Sequence, residues 1–435
     1  MSIKKNTIVI FEDSKHTNLK PLSLTRPVHF LKSGIFSIRE KINNLFGKNR
    51  TIYLHQREIF TNENFLDLKE NERVFYPIRF DEEKNQLDNK NNTKLNDGFV
   101  IINGRVLPNK ELVKVVENLE KGKTFKVFVD DSKNVIAAYL PNTESFNRII
   151  DLYFSPEVKS VEFLAKVKVI NYPWDLVNNI SSEIEKDKLF KTNNLSLIGN
   201  KELFDSFSEL NITVVNTENI FIDSSAKIKA GVIIDATDGA VIIDKNVTIM
   251  HNSVIIGPCY IGENSTIKIG AKIYENCSIG ETCKIGGEVE DTIIHSFSNK
   301  QHDGFLGHAY ICEWCNFGAD TNNSDLKNNY SNVLVEIDSV LIDSGSQFVG
   351  LFMGDHSKTG INTMFNTGTV VGTCCNVYGE GFPPRNIPNF HWGGKEKLVK
   401  YPFRRIMETN TKVKARRNEI VSETEKKNLK SLYNL

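Results

Sequence analysis

Two cysteines three positions apart, Cys312-Glu-Trp-Cys315, and a neighbouring pair, Cys374-Cys375, are the groups whose type and spacing first suggest chemistry. Thiolates so placed chelate zinc or pair as a disulfide. Zinc normally asks for four ligands, and the sequence holds no second Cys-x-x-Cys. The cysteines also obey another regularity. Isoleucines recur at every sixth residue through Ile243, Ile249, Ile255, Ile261, Ile267, Ile273, Ile279 and Ile285, and four residues after most of them sits something small: Val247, Ser253, Cys259, Ser265, Ala271, Cys277 and Cys283. Carrying the register forward through Phe305, Ile311 and Phe317 puts Cys315 in the small slot and Cys312 in the slot usually held by glycine. From Val371, Cys375 again falls in the small slot, so five of the seven cysteines read as corner packing.

A six-residue period fits neither helix nor lone strand. It fits a solenoid of short strands joined by turns, in which each hexad makes one flat side and stacked coils bury one apolar column. The column starts near Ile222 and Ile228, slips between Ile234 and Ile243, and runs with loop interruptions to EGFPPRNIPNFHWGG (380–394). Upstream, IVIF (8–11), TIYLH (51–55), FVIING (99–104), KVFV and IAAYL (within 126–140) have strand length, and LVKVVENLEKG (112–122) has helical spacing closing on a glycine. Strands alternating with helices predict an α/β domain. The stretch 81–97 is polar and reads as a solvated excursion. The expected organisation is an α/β domain over 1–170, a connecting helix and linker over 171–220, the solenoid over 221–394 and a helical tail over 395–435 that packs on the coil. Basic and acidic residues number 54 each, so no global field recruits nucleic acid or an anionic membrane. With no long apolar run, the chain reads as cytoplasmic.

Hexad solenoids of this kind resemble the left-handed β-helix acyltransferases, and the handedness expected here comes from that family. The stretch SNKQHDGFLGHAYICEWCNFGADTNNSDLKNNY (298–330) narrows the likeness. It resembles the acetyltransferase half of GlmU, the bifunctional N-acetylglucosamine-1-phosphate uridylyltransferase and glucosamine-1-phosphate acetyltransferase. That family carries a pattern close to H-L-T-Y-L-G-D-A-x-I-G-x-x-x-N-x-G-A-G-T. His302 falls on the catalytic histidine and Asn316 on the asparagine, with Gly307, Ala309, Ile311, Gly318, Ala319 and Thr321 in agreement. Phe305 replaces a sugar-contacting tyrosine and Asp320 a glycine. Acetyl transfer from a thioester needs a base of near-neutral pKa, and the resemblance implies His302, with His308 and His356 as the next candidates. Lys300, Lys327 and Asn329 could hold the acceptor's phosphate, or be solvated loop residues. The block through GDHSKTGINTMFNTGTVVG (354–372) resembles the divergent GlmU-like proteins more narrowly.

The opening IVIFEDSKHTNLKPLSLTRPVHFLKSG (8–34) resembles the signature of sugar-1-phosphate nucleotidylyltransferases, L-A-x-G-x-G-T-R-L-x-P-L-T-x-x-R-P-K-x-L. Thr17, Leu19, Pro21, Leu22, Arg26, Pro27 and Leu31 agree. Ser14 and His16 replace two glycines, Asn18 the arginine and Val28 the lysine, while Arg105 stands where that family's metal-holding aspartate follows Asn-Gly. Either the site is rebuilt, with Asp13, Arg26, Lys32, Arg39 and Arg105 around the phosphates, or the Rossmann-like, nucleotidyltransferase-like fold is kept and catalysis lost.

The resemblance implies acetyl transfer from acetyl-CoA to glucosamine 1-phosphate and uridylyl transfer from UTP with Mg2+, by a homotrimer acting on small molecules, in UDP-N-acetylglucosamine synthesis. One activity beside an inactive domain is the second reading, and a non-catalytic sugar-nucleotide-binding trimer the third.

Overall fold

The computed structural model describes residues 7–48, 50–55, 57, 60, 68–75, 79–81, 86–88, 93–95, 98–123, 125–143, 146, 160–164, 166–192 and 207–435. Most of the polar stretch 81–97 lies outside them. The chain forms two compact units: Met1–His16, Arg26–Leu31 and Ser37–Asn171 in the first, and Thr17–Thr25, Lys32–Phe36 and Tyr172–Leu435 in the second. Two pieces of the amino-terminal signature are therefore part of the second unit.

The first unit is built on a seven-stranded sheet. Its strands are β1 (Thr7–Phe11), β2 (Ile52–Leu54), β3 (Glu72–Val74), β4 (Phe99–Asn103), β5 (Lys126–Val129), β6 (Val135–Leu140) and β7 (Ser160–Phe163), in the order β7-β5-β6-β4-β1-β2-β3. Strand β6 is antiparallel to both neighbours and the other pairings are parallel. The runs IVIF and FVII are apolar on both faces because a sheet flanked by helices is covered on both sides. Helix α1 (Ile38–Phe46) starts with a capping box between Ser37 and Glu40, and α2 (Lys110–Gly122) with the Asn109 side chain accepting from Leu112 N at 3.0 Å. The residue that closes α2 in the left-handed conformation is Lys123, not Gly122.

The second unit is a left-handed parallel β-helix. Strand Ile255 stacks on Ile234 and under Ile273, Ile261 between Ile243 and Ile279, and Ile267 between Ile249 and Ile285, one ladder on each of three faces. All these isoleucines except Ile273, at 1%, are fully buried. Corners at Asn246, Asn252, Asn264, Asn276 and Thr282, spaced by multiples of six, each have φ between 54° and 60°; asparagine tolerates this left-handed region better than bulkier residues.

The small slot has a second purpose that spacing did not reveal. Its hydroxyls and thiols donate across to carbonyls of the next coil: Ser253 Oγ to Lys268 O at 2.8 Å, Ser265 Oγ to Gly280 O at 2.8 Å, Cys283 Sγ to His295 O at 3.1 Å and Cys375 Sγ to Pro388 O at 3.1 Å. All seven cysteines are free and buried, and burial pushes the Cys259, Cys283 and Cys375 thiols up to about 12. They are protonated donors at neutral pH, unlike the thiolates that metals select.

The register expected through Phe305 is corrected by one residue. Leu306, stacked on Val289, points inward, and the inward series after Ile285 runs Val289, Ile294, Lys300, Leu306, Ile311 and Phe317. The shortened coil at Gly286-Gly287 breaks the strict sixfold step and moves the phase. The coil ends where Leu398–Lys400 turns back antiparallel on His391–Gly393. Ahead of the coil the described residues of the connecting segment include two helices, α3 (Pro173–Val177) and α4 (Ile180–Lys191); after it, α5 (Phe403–Ala415) and α6 (Glu423–Asn434) pack Ile406 and Leu429 on Cys374 and Phe390.

Candidate active sites

Lys300 occupies an isoleucine position of the ladder, between Ile285 and the next rung, and only 2% of it is exposed. An ammonium inside an apolar column is costly unless its protons find acceptors. Its Nζ reaches the corner and donates to Gly286 O and His302 O, both at 3.0 Å. Burial lowers the Lys300 pKa to about 8. Gly287, with φ 71°, lets the corner close: a Cβ there would sit 2.6 Å from Lys300 Nζ and 2.8 Å from His302 O. The His302 side chain is exposed and makes no hydrogen bond or ion pair with another described residue. Lysine thus fixes the backbone of a residue whose imidazole stays available.

His308, on another corner with φ 46°, is in the opposite condition. Its Nδ1 lies 2.8 Å from Asp325 Oδ2 and its Nε2 3.7 Å from Asp291 Oδ2, Glu290 completes the cluster, and the ring stacks on Phe348 with centroids 5.1 Å apart. Burial lowers the His308 pKa, but the Asp325 hydrogen bond and the charges of Asp291, Asp325 and Glu290 outweigh it and raise the value. His356 is buried beside Glu425 of α6, Nε2 to Oε1 at 3.3 Å, and stacks on Trp314. Burial would raise the Glu425 pKa, but His356 and Lys414 hold it down.

The remaining acceptor candidates do not gather at His302. Asn316 bridges the strands at Asn299 and Lys358 through its backbone. Lys327 Nζ donates to Asn332 O at 2.5 Å, and Asn329 Oδ1 accepts from Ser331 N and Oγ at 3.2 and 2.9 Å. Both lie on the loop that continues from Asp325, the partner of His308. Among the described residues neither has a hydrogen bond or ion pair to His302.

In the first unit, Asp13 and Arg105 meet and Lys32 is absent. Arg105 donates from Nε and Nη2 to the two Asp13 oxygens at 2.9 and 2.6 Å. Glu12, which sequence reading passed over, accepts from Val28 N at 2.9 Å and from Arg57 Nε at 3.0 Å, while Arg57 Nη2 donates to Arg26 O at 2.9 Å. Glu12 and Arg57 therefore hold Arg26 and the Arg-Pro turn against β1. Arg39 is buried, 3.6 Å from Glu72 and with its guanidinium over the Phe30 ring. Lys32 belongs to the second unit: its N donates to Tyr310 Oη at 2.8 Å and its Nζ lies over the Tyr260 ring. The rebuilt phosphate site expected from Asp13, Arg26, Lys32, Arg39 and Arg105 is thus not one cluster: Lys32 and Arg39 have other surroundings. Only the pairing of Glu12 with an arginine some 45 residues on, which no local pattern announces, could have flagged the true anchor.

Residues 8–195 match the family described as sugar nucleotidyl transferase. Over most of its length the chain is similar to bifunctional proteins. The likeness is to GlmU. The bifunctional protein GlmU of Methanococcus aeolicus is 28% identical over 388 residues, covering 84% of this chain and 91% of that one. GlmU of Methanocaldococcus jannaschii is 26% identical over 418 residues, 87% and 95% of the two chains. A bifunctional sugar-1-phosphate nucleotidylyltransferase/acetyltransferase of Sulfurisphaera tokodaii is 26% identical over 326 residues, 68% of this chain and 76% of that one. The sugar nucleotidyl transferase match covers the sheet unit, the signature pieces that belong to the second unit, and α3 and α4, and it ends ahead of the β-helix. No helix among the described residues is long and apolar enough to cross a membrane.

Proposed function

We propose that the chain makes a nucleotide sugar in two steps, acetylating glucosamine 1-phosphate from acetyl-CoA on the β-helix and joining the product to UMP from UTP on the sheet unit. The observation that carries the acetyl half is Lys300: a cation set into an isoleucine ladder, with two of its three protons spent on the corner that presents His302. In this reading the sugar amine attacks the thioester carbon, the free imidazole of His302 takes the amine proton, and the tetrahedral intermediate expels coenzyme A thiolate, which recovers that proton. His308 is less available as a base, because Asp325 holds its Nδ1, Asp291 faces its Nε2, and these carboxylates raise its pKa. Lys300 is a positioning residue rather than an acceptor contact. The uridylyl half is supported by the nucleotidyl transferase match and by the bifunctional relatives that span most of the chain.

Solenoid faces that stack ladders leave flat sides, and we read the active form as a homotrimer with coenzyme A held between neighbouring coils; light scattering that gave a monomer would remove this part. The first test is to incubate the protein with glucosamine 1-phosphate, acetyl-CoA, UTP and a divalent cation and to weigh the products. UDP-N-acetylglucosamine supports both halves. N-acetylglucosamine 1-phosphate alone confines catalysis to the β-helix, and neither product leaves the sugar-nucleotide-binding reading.

A further inference from the structure

Arg105 follows Asn103-Gly104 at the place where the resembled nucleotidylyltransferases carry a metal-holding aspartate, and its side chain is wholly buried. A guanidinium has five N–H donors. Here each has an acceptor: Nε with Asp13 Oδ1 at 2.9 Å, Nη2 with Asp13 Oδ2 at 2.6 Å and Asn134 Oδ1 at 3.1 Å, and Nη1 with Ile170 O at 2.7 Å and Asn171 Oδ1 at 2.9 Å. The carboxylate in reach of such a metal, Asp13, has both oxygens on Arg105, and Asn103 Nδ2 adds a third bond at 2.9 Å. Burial would raise the Asp13 pKa, but Arg105, Asn103 and Lys15 more than offset it, so Asp13 is a committed anion. A divalent cation needs several oxygens with negative charge to spare, and beside this fixed cation it finds none among the described residues.

The residues present do not fit a metal there. We propose that in this chain the buried Arg105 guanidinium takes the place of the divalent cation at the Asn-Gly turn, so that the amino-terminal unit engages nucleotide phosphates without a protein-held metal. The identity of the nucleotide rests on the uridylyl reading; the exchange of cations does not. Arg105 acts as a positioning residue whose donors are spent. The exposed Lys15, whose Nζ donates to Asn134 Oδ1 at 2.6 Å, is the cation that a phosphate would meet beside it.

The probe is Mn2+ alone, followed by its solution EPR signal in the presence of the full chain, because Mn2+ takes the same oxygen ligands as Mg2+. The expected spectrum is that of the free ion. One bound Mn2+ per chain that is lost in Asp13→Asn and kept in His308→Ala would overturn the proposal. Binding lost in His308→Ala and kept in Asp13→Asn would assign the ion to the Glu290, His308 and Asp325 cluster and uphold it. UTP is then titrated calorimetrically in EDTA and in Mg2+. Dissociation constants agreeing within about twofold support the proposal, and about tenfold tighter binding with Mg2+ refutes it. If UTP binds in neither buffer, the uridylyl reading falls, while the Mn2+ spectrum still decides the metal.

Discussion

The sheet unit and the β-helix place their polar residues by opposite rules. In the β-helix each coil repeats the same ladder, so one position can be changed without disturbing the others: valine, serine, cysteine and alanine interchange in the small slot, and one isoleucine becomes Lys300. Stability is close to a sum over rungs, and the chain can place a functional group at one rung while its neighbours hold the coil. In the sheet unit the acidic residues of the signature have single-copy partners far along the chain, Glu12 with Arg57 and Asp13 with Arg105. Those pairs build the turn and leave little over. Repetition leaves side chains available, whereas a singular network uses them up.

The comparison is tested most severely at His302. His302→Ala should lower acetyl transfer by about 10²–10⁴-fold while uridylyl transfer and the circular dichroism spectrum stay unchanged; equal loss in His308→Ala would mean that the free imidazole is not the base. Cutting one rung of the ladder comes next. Ile267→Ala should destabilise the β-helix by about 2–5 kcal/mol in denaturant titration, from lost burial plus the cavity left in a packed column.

Lys300→Met keeps the stem and removes the two bonds to Gly286 and His302 carbonyls. Acetyl transfer should fall by about 10²-fold through kcat with KM for the sugar little changed. A rise in KM alone would instead make Lys300 an acceptor contact.

In the sheet unit His29 is fully buried, and among the described residues neither ring nitrogen has a hydrogen-bond partner. Burial, then the nearby Arg39, His55 and Arg57, hold its pKa well below the ordinary value. The unfolded chain takes up this proton near pH ~6.5 and the folded one does not. Stability from this group is therefore present above that pH and is lost as pH falls below it. Thermal melts of the full chain should show the transition of this unit moving down in acid, and His29→Phe should flatten the dependence; an unchanged slope in the variant would dismiss His29 as its source. The smallest effect is expected at Ser265→Ala, about 1 kcal/mol for one inter-coil hydrogen bond.

The fold of the β-helix was legible because its signal repeats: eight isoleucines in step, with corner asparagines and small slots in phase, specify strand length, turn and inward face at once. The register failed at Phe305, because the step from Leu306 to Ile311 is five residues and not six. At the sites, residue types were legible and their availability was not. His302, His308 and His356 look alike in sequence, each in a polar loop. Folding set Asp325 and Asp291 beside one and Glu425 beside another, and gave the third imidazole no hydrogen bond or ion pair among the described residues. Lys32 read as a phosphate ligand, yet Tyr310, 278 residues later, holds its backbone.

The sequence by itself determined the periodic solenoid and the alternating strands and helices ahead of it, because propensity and spacing are local properties; that Arg105 stands in place of an aspartate came from the family resemblance. The tertiary structure decided which charged groups are spent and which are free. Hydrogen-bond capacity is finite, and whether Arg105 has a donor left depends on Asp13, Asn134, Ile170 and Asn171, which only folding brings to one point.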